Sequence, residues 1–365
     1  MADNINVLVV DDSALMRKLV STMIDGTPGL HVIDTAINGK VALEKIPLVN
    51  PDIICLDLEM PEMSGIEFLR ERKKRGIHIP VIILSSIAEK GAVVTMEALL
   101  LGASDFITKP SGSISVDVVK VKERVAELLL AYGGRYKRVK KPDALIPPMP
   151  VASVAPHAPV AAKIVPITKP GRVDVIAIGI STGGPEALRV VFANLDADLK
   201  VPILVVQHMP AGFTLEFARS LDKICPLEVK EAEEGEQLVP GRIFIAEGSK
   251  HLEVEKSIGV HGIIHLTDSP LVSGHKPSAD VLFASVAMAY RNHALGVIMT
   301  GMGRDGAAQL GSIYREGGLT LGQDESSAIV YGMPRVAFEM GHVMEQVSLT
   351  NMGHRISQVA KASHL

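Results

Sequence analysis

Three stretches of this 365-residue chain put a chemically capable side chain where an apolar run ends. Ser181 lies in "VIAIGISTGGPEAL", His208 closes "VPILVVQHMP", and Asp305 follows the glycine-rich turn of "ALGVIMTGMGRDGAAQL". A serine hydroxyl is barely ionised at neutral pH and needs a base within hydrogen-bond reach, which in turn needs an acid to fix its tautomer. Gly179-Ile180-Ser181-Thr182-Gly183 matches Gly-x-Ser-x-Gly, a tight strand-to-helix turn that exposes its serine. Ser181 is thus the candidate nucleophile, His208 the base and Asp305 the acid. Backbone amides of the turn, at Thr182 and Gly183, and a further one near Met302, are candidates to hold an oxyanion. His275, in "VSGHKPSAD", competes as the base or lines the substrate cleft, Asp268, Asp280 and Asp324 are alternative acids, and Asp305 taken alone could also be a helix cap. A dinucleotide cradle fits poorly, because Ser181 stands where backbone would have to meet pyrophosphate. The chain order Ser–His–Asp differs from that of α/β-hydrolases, so a triad here is a convergent one on another sheet.

A second constellation lies nearer the N-terminus. Asp11 and Asp12 follow "INVLVV", Asp57 closes "DIICLD", Ser85 follows "VIIL", and Lys109 follows "DFIT". Carboxylates gathered at one sheet edge repel each other and call for a cation. Mg²⁺ suits them, since it takes few carboxylates, keeps waters and accepts phosphate oxygens. An ionised Asp57 beside that ion is a candidate phosphoryl acceptor, with Lys109 and Ser85 placed to bind the oxygens of the acyl phosphate.

Both constellations need strands to hold them. Short, branched, unbroken apolar runs alternate with amphipathic stretches, five pairs before residue 131 and a similar alternation after residue 172, which predicts two α/β domains, each a doubly wound parallel sheet. In such sheets ligand chemistry gathers at the strand C-terminal ends. The expected division is 1–131, a proline-rich linker at 132–171, and 172–365. The linker carries seven basic residues against one acidic, while both flanking domains are acidic in balance. Neither domain is basic enough for a nucleic-acid face, which argues against a DNA-binding output module. No run reaches the length of a membrane span, and Cys55 and Cys225 lack metal-type spacing and read as small core residues of a reducing cytoplasm.

The motifs "VVDDSALMRK", "DLEMPEMSG", "ILSS" and "GASDFITKP" resemble a response-regulator receiver domain of flavodoxin-like fold. The resemblance implies phosphorylation at Asp57, with Asp11, Asp12, Asp57 and the backbone carbonyl of Glu59 around Mg²⁺, and Ser85 and Lys109 as the phosphate switch. "AIGISTGGPEAL", "VVQHMPAGFT", "AEGSKHLEV", "LTDSP", "HKPSADVLFASVA" and "MTGMGRDGA" resemble the Rossmann-like catalytic domain of chemotaxis protein-glutamate methylesterases. That resemblance implies a cytoplasmic, phosphorylation-activated serine hydrolase that demethylates glutamate γ-methyl esters on chemoreceptors and deamidates receptor glutamines. Its ester chemistry needs no cofactor. The implied partners are chemoreceptors as substrate and a chemotaxis histidine kinase as phosphodonor, with no nucleic acid and no membrane insertion. A generic serine esterase or deamidase acting on other proteins is the competing enzyme class.

Overall fold

The apolar runs form strands buried on both faces, as parallel sheets covered by helices require. The computed structural model describes residues 4–85, 89–109, 116–140, 166–256 and 261–362. The chain divides into two units, Met1–Val154 and Ala155–Leu365.

In the first unit, β1 (Ile5–Val10), α1 (Ala14–Asp25), β2 (Leu30–Ala36), α2 (Gly39–Val49), β3 (Ile53–Asp57), α3 (Gly65–Lys74), β4 (Val81–Ser85), α4 (Glu89–Leu100), β5 (Asp105–Thr108) and α5 (Val116–Leu128) alternate. The five strands are parallel in the order β2-β1-β3-β4-β5. β1 and β3 are the central pair, and the chain winds away from them in both directions. The crevice at their C-terminal ends is where such a sheet places its ligands. Cys55, on β3, is fully buried, and burial together with the Asp11 charge pushes its thiol up to about 12, as fits a core residue.

The helical tail of this unit corrects the expected linker start at residue 132. α5 continues through a π-helical turn, Leu129–Gly133, into α6 (Gly134–Lys140). A methyl group at Gly133 would come within 2.5 Å of Ile5 Cγ2 and 3.2 Å of Ile53 Cγ2. The glycine thus allows the helix to lie close against β1 and β3. Lys137, one of the basic residues of the expected linker, is buried, donating to the Asn4 carbonyl at 2.6 Å with the Asp52 carboxylate 3.7 Å away. At the other end of the expected linker, Ile167 N–H donates to the Arg315 carbonyl and Gly171 N–H to the Asn292 carbonyl, within the second unit. The proline-rich stretch at 141–165 lies outside the described residues.

The second unit runs β6 (Val175–Ile180), α7 (Gly184–Ala193), β7 (Ile203–Gln207), α8 (Phe213–Asp222), β8 (Glu228–Glu231), β9 (Arg242–Ile245), β10 (His251–Glu255), β11 (Ile263–Thr267), α9 (Ala279–Tyr290), β12 (Ala294–Ile298), α10 (Ala307–Arg315), β13 (Leu319–Gln323), α11 (Met333–Glu339), β14 (Glu345–Val347) and α12 (Leu349–Ala362). Seven strands pair in parallel in the order β14-β13-β12-β6-β7-β9-β8, and β10 and β11 form a separate antiparallel ribbon that the alternation did not foretell. β6 lies between β12 and β7, so the three strands leading to Ser181, His208 and Asp305 are immediate neighbours. α7, α8 and α10, which follow those strands, each start from a glycine (Gly183, Gly212, Gly306) with φ of 80°, 81° and 80°. A residue with a Cβ would be strained there, so the glycines set how sharply each chain turns from strand end to helix. α9 closes the other side of the site, burying Ala279, Leu282, Phe283 and Val286 in the core of the unit.

Candidate active site and acidic cluster

Ser181, His208 and Asp305 meet at the C-terminal ends of β6, β7 and β12. His208 Nδ1 is 2.9 Å from Ser181 Oγ, and His208 Nε2 is 2.7 Å from Asp305 Oδ2. An ionised carboxylate only accepts, so Nε2 carries the proton and Nδ1 is left as the acceptor for the serine hydroxyl. Asp305 is fully buried but well supplied with donors. Ser278 Oγ lies 2.6 Å from Oδ1, and Ala279 N–H donates to Oδ2 at 2.6 Å. Burial alone would raise the Asp305 carboxyl; the bond and charge of His208, then Ser278 and Ala279, bring it below its ordinary value. Asp305 does cap a helix, but not the one that follows it: it sits at the N-terminus of α9, while α10 starts from Gly306.

The alternatives have other partners. Asp268 pairs with Lys276, and Asp324 accepts from Ser326, Ser327 and the Ser327 amide. Asp280 accepts from Gln309 N–H and Ser273 Oγ, and burial plus the Asp305 charge raises its carboxyl. His275 does not take the place of His208. Its ring stacks on the His208 ring with centroids 3.8 Å apart and planes 13° apart, while its Nδ1 lies 2.8 Å from the Ser273 carbonyl. Thr182 is fully buried, Gly183 opens α7, and Met302 is part-exposed. Met302 follows Gly301, where a methyl group would come within 2.8 Å of Ser181 Cβ, so this loop passes directly over Ser181.

A buried polar frame that the sequence reading missed holds the turn. Ser181 N–H donates to the Thr300 carbonyl at 2.9 Å, and Thr300 Oγ1 donates to the Thr182 carbonyl at 2.8 Å. Gln207 Nε2 lies 3.1 Å from both the Ser181 and His208 carbonyl oxygens. Gln207 Oε1 is buried and accepts no hydrogen bond from the described residues. One signal for these residues was available: each is a polar side chain interrupting an apolar strand end, in "LVVQH" and "VIMTG". Ser278 was legible as the N-cap of "SADVLF".

In the first unit, Asp11, Asp12 and Asp57 offer carboxylate oxygens within 4.8 Å of one another. Lys109 Nζ bridges the two buried ones, 2.9 Å from Asp57 Oδ2 and 3.1 Å from Asp11 Oδ2. Burial raises the Asp57 carboxyl, Lys109 pulls it back, Asp11 pushes it up again, and the balance stays above the ordinary value. Burial would lower the Lys109 ammonium, but Asp57 and Asp11 hold it above its ordinary value. An all-oxygen set with one ammonium for two buried carboxylates suits a hard divalent cation such as Mg²⁺. Ser85 ends β4 with its Oγ 2.6 Å from Thr95 Oγ1 on α4, and the Glu59 side chain is exposed just beyond β3.

Comparisons with known proteins divide along the same line. Residues 176–356 match the model of the CheB methylesterase family, and residues 7–117 match that of the response regulator receiver domain. A protein-glutamate methylesterase/protein-glutamine glutaminase of Treponema denticola is 57% identical, the alignment covering 98% of this chain and 99% of the relative. A protein of the same description from Treponema pallidum is 49% identical over 98% of each. The crystal structure of the Thermotoga maritima CheB methylesterase catalytic domain is 34% identical, covering 51% of this chain and 98% of that one, with a TM-score of 0.50. No helix among the described residues is long and apolar enough to cross a membrane.

Proposed function

The chain belongs to the CheB methylesterase family with a receiver domain at its N-terminus, and from that premise we propose that Ser181, His208 and Asp305 are its catalytic triad and Asp57 its phosphorylation site. The enzyme is a protein-glutamate methylesterase/protein-glutamine glutaminase whose demethylation of chemoreceptors is regulated by phosphorylation. The observation that carries the triad is the relay Ser181 Oγ–His208 Nδ1 at 2.9 Å and His208 Nε2–Asp305 Oδ2 at 2.7 Å.

His208 Nδ1 takes the proton as Ser181 Oγ attacks the ester carbonyl carbon, and Asp305 stabilises the imidazolium without taking its proton. Backbone N–H groups of Thr182 and Gly183, with one near Met302, hold the oxyanion. The tetrahedral intermediate collapses, and Nδ1–H protonates the departing methoxide, which leaves as methanol. Water, deprotonated by the same nitrogen, then hydrolyses the acyl-enzyme to glutamate and regenerates Ser181. A glutamine side chain follows the same path with ammonia as the leaving group. His275 lines the cleft against the base, and no cofactor enters the ester chemistry.

Asp11, Asp12 and Asp57, with the Glu59 carbonyl, would hold Mg²⁺ in the receiver, and the ion would screen charge as a phosphoryl group approaches. Asp57 is the acceptor, Lys109 moves from its paired carboxylates to the incoming phosphoryl oxygens, and Ser85 exchanges Thr95 for the same oxygens. A chemotaxis histidine kinase is the phosphodonor and receptor cytoplasmic helices are the substrate; the enzyme itself acts in the cytoplasm, with no nucleic-acid partner and no membrane insertion. Methanol release from methylated receptor membranes tests the triad. Ser181→Ala is expected to abolish it, and release at near wild-type rate from that variant would overturn the assignment.

A further inference from the structure

We propose that the buried side-chain amide of Gln207 is a positioning residue that aims the Thr182 N–H at the oxyanion; this rests on the triad reading above. Gln207 is the last residue of β7, 2% exposed, and immediately precedes the base. Its one amide nitrogen is within 3.1 Å of the carbonyl oxygens of both the nucleophile and the base. The Ser181 carbonyl also accepts from Gly184 N–H at 2.8 Å, so it is held from two directions.

The peptide joining Ser181 to Thr182 is trans, and a planar trans peptide directs its N–H opposite to its C=O. Fixing the Ser181 carbonyl against Gln207 therefore fixes the direction of the Thr182 N–H, the donor that follows a nucleophile at this kind of turn. Thr300 works on the neighbouring peptide units, accepting from Ser181 N–H and donating to the Thr182 carbonyl. With both sides of the unit held, the donor cannot swing away by peptide rotation.

Packing alone does not explain a glutamine here. Its Oε1 is buried and accepts from none of the described residues, so methionine of similar shape would fill the space equally well as far as those residues go. What methionine lacks is the donor. The surroundings also make room for the amide, since a methyl group at Gly184 would sit 1.7 Å from Gln207 Oε1.

The test uses the full-length protein, with methanol release from methylated receptor membranes and binding of a trifluoromethyl ketone analogue of the ester. That analogue adds to Ser181 Oγ as an oxyanion-bearing hemiketal. Gln207→Met is expected to lower kcat about 30-fold or more, somewhat less than the roughly 10²–10³-fold lost on deleting such a donor, with KM little changed. Analogue affinity should fall in proportion to kcat. Gln207→Glu supplies a pH readout that a packing role would not move: the neutral carboxyl O–H donates to the Ser181 carbonyl and the carboxylate does not. Its kcat relative to wild type should therefore rise as pH falls, while the Gln207→Met ratio stays flat. If Gln207→Met does not fold, the Gln207→Glu profile decides alone. A Gln207→Met enzyme within about threefold of wild-type kcat, or a flat Gln207→Glu ratio, overturns the proposal. If Ser181→Ala remains active the triad reading fails instead; an inactive Ser181→Ala beside a near-normal Gln207→Met sinks only the role of Gln207.

Discussion

Two buried aspartates, each just past the C-terminal end of a parallel strand or closing it, are held in opposite ways. Asp57 has one ammonium shared with Asp11 and a backbone N–H, and its carboxyl lies above the ordinary value because burial and a like charge prevail. Asp305 has an imidazole, a hydroxyl and a helix N-terminus, and its carboxyl lies below the ordinary value although it is fully buried. Burial alone therefore does not determine what a buried carboxylate is fit to do; the supply of donors does. The under-supplied group, Asp57, keeps acceptor capacity of the kind the proposed cation and phosphoryl group would use. The fully supplied one has no capacity left for new bonds and serves as a fixed anion.

That contrast can be broken by matched substitutions. The largest effect is expected for Asp57→Asn, which should abolish phosphoryl uptake from a small-molecule phosphodonor, measured by Phos-tag gel shift, while basal methanol release persists. Asp305→Asn should do the reverse, lowering kcat by about 10⁴-fold, as for the equivalent change in serine proteases, with phosphoryl uptake intact. Loss of both activities in either variant would mean the two sites are not independent chemical units. Chelation of Mg²⁺ with EDTA comes next: phosphoryl uptake should stop and basal methanol release continue.

Stability offers a smaller effect with a sign. Asp57 has a folded pKa above its ordinary value of 3.8, so its contribution to stability is present below that value and is lost as pH rises through the folded pKa. Asp305 has a folded pKa below 3.8, so its contribution is present above that value and is lost as pH falls through the folded pKa. Calorimetry at neutral pH should therefore show Asp57→Asn raising the Tm of the receiver transition and Asp305→Asn lowering that of the catalytic transition. Both differences should close in acid, and shifts of the same sign would undo the contrast. The smallest effect is expected at the stacked ring: a pair worth about 0.5–1.5 kcal/mol predicts a loss of roughly two- to tenfold in kcat/KM for His275→Ala, with partial recovery in His275→Phe.

The sequence made the strand-end residues legible because a polar side chain ending an apolar run has few structural reasons to be there. Ser181, His208, Asp305, Asp57 and Lys109 could all be found in that way, and the structure brings the first three together and pairs the other two. Which imidazole nitrogen faces which partner was not legible, since it depends on a rotamer set by Ser181 and Asp305 in three dimensions. Gln207 and Thr300 carry the same strand-end signal, but their role was not legible, because their hydrogen bonds run to backbone atoms of the turns and no spacing rule reports those. The extension to Lys140 was missed for another reason. Glycine pairs signal turns only when their flexibility is in use, and Gly133 instead serves close packing against Ile5 and Ile53.

The fit of Gly184 against Gln207 also restricts the order in which this site can change. A side chain at 184 requires the Gln207 amide to move from its place, because Cβ and Oε1 would otherwise lie 1.7 Å apart. Position 207 carries no such condition, since a smaller residue there leaves the glycine untouched. Mutational routes through this turn therefore run one way, with 207 shortened first and 184 filled second. A library that randomises 184 alone asks every variant to displace the glutamine amide, and one that varies both positions together should recover non-glycine residues at 184 mainly in clones that have lost the glutamine.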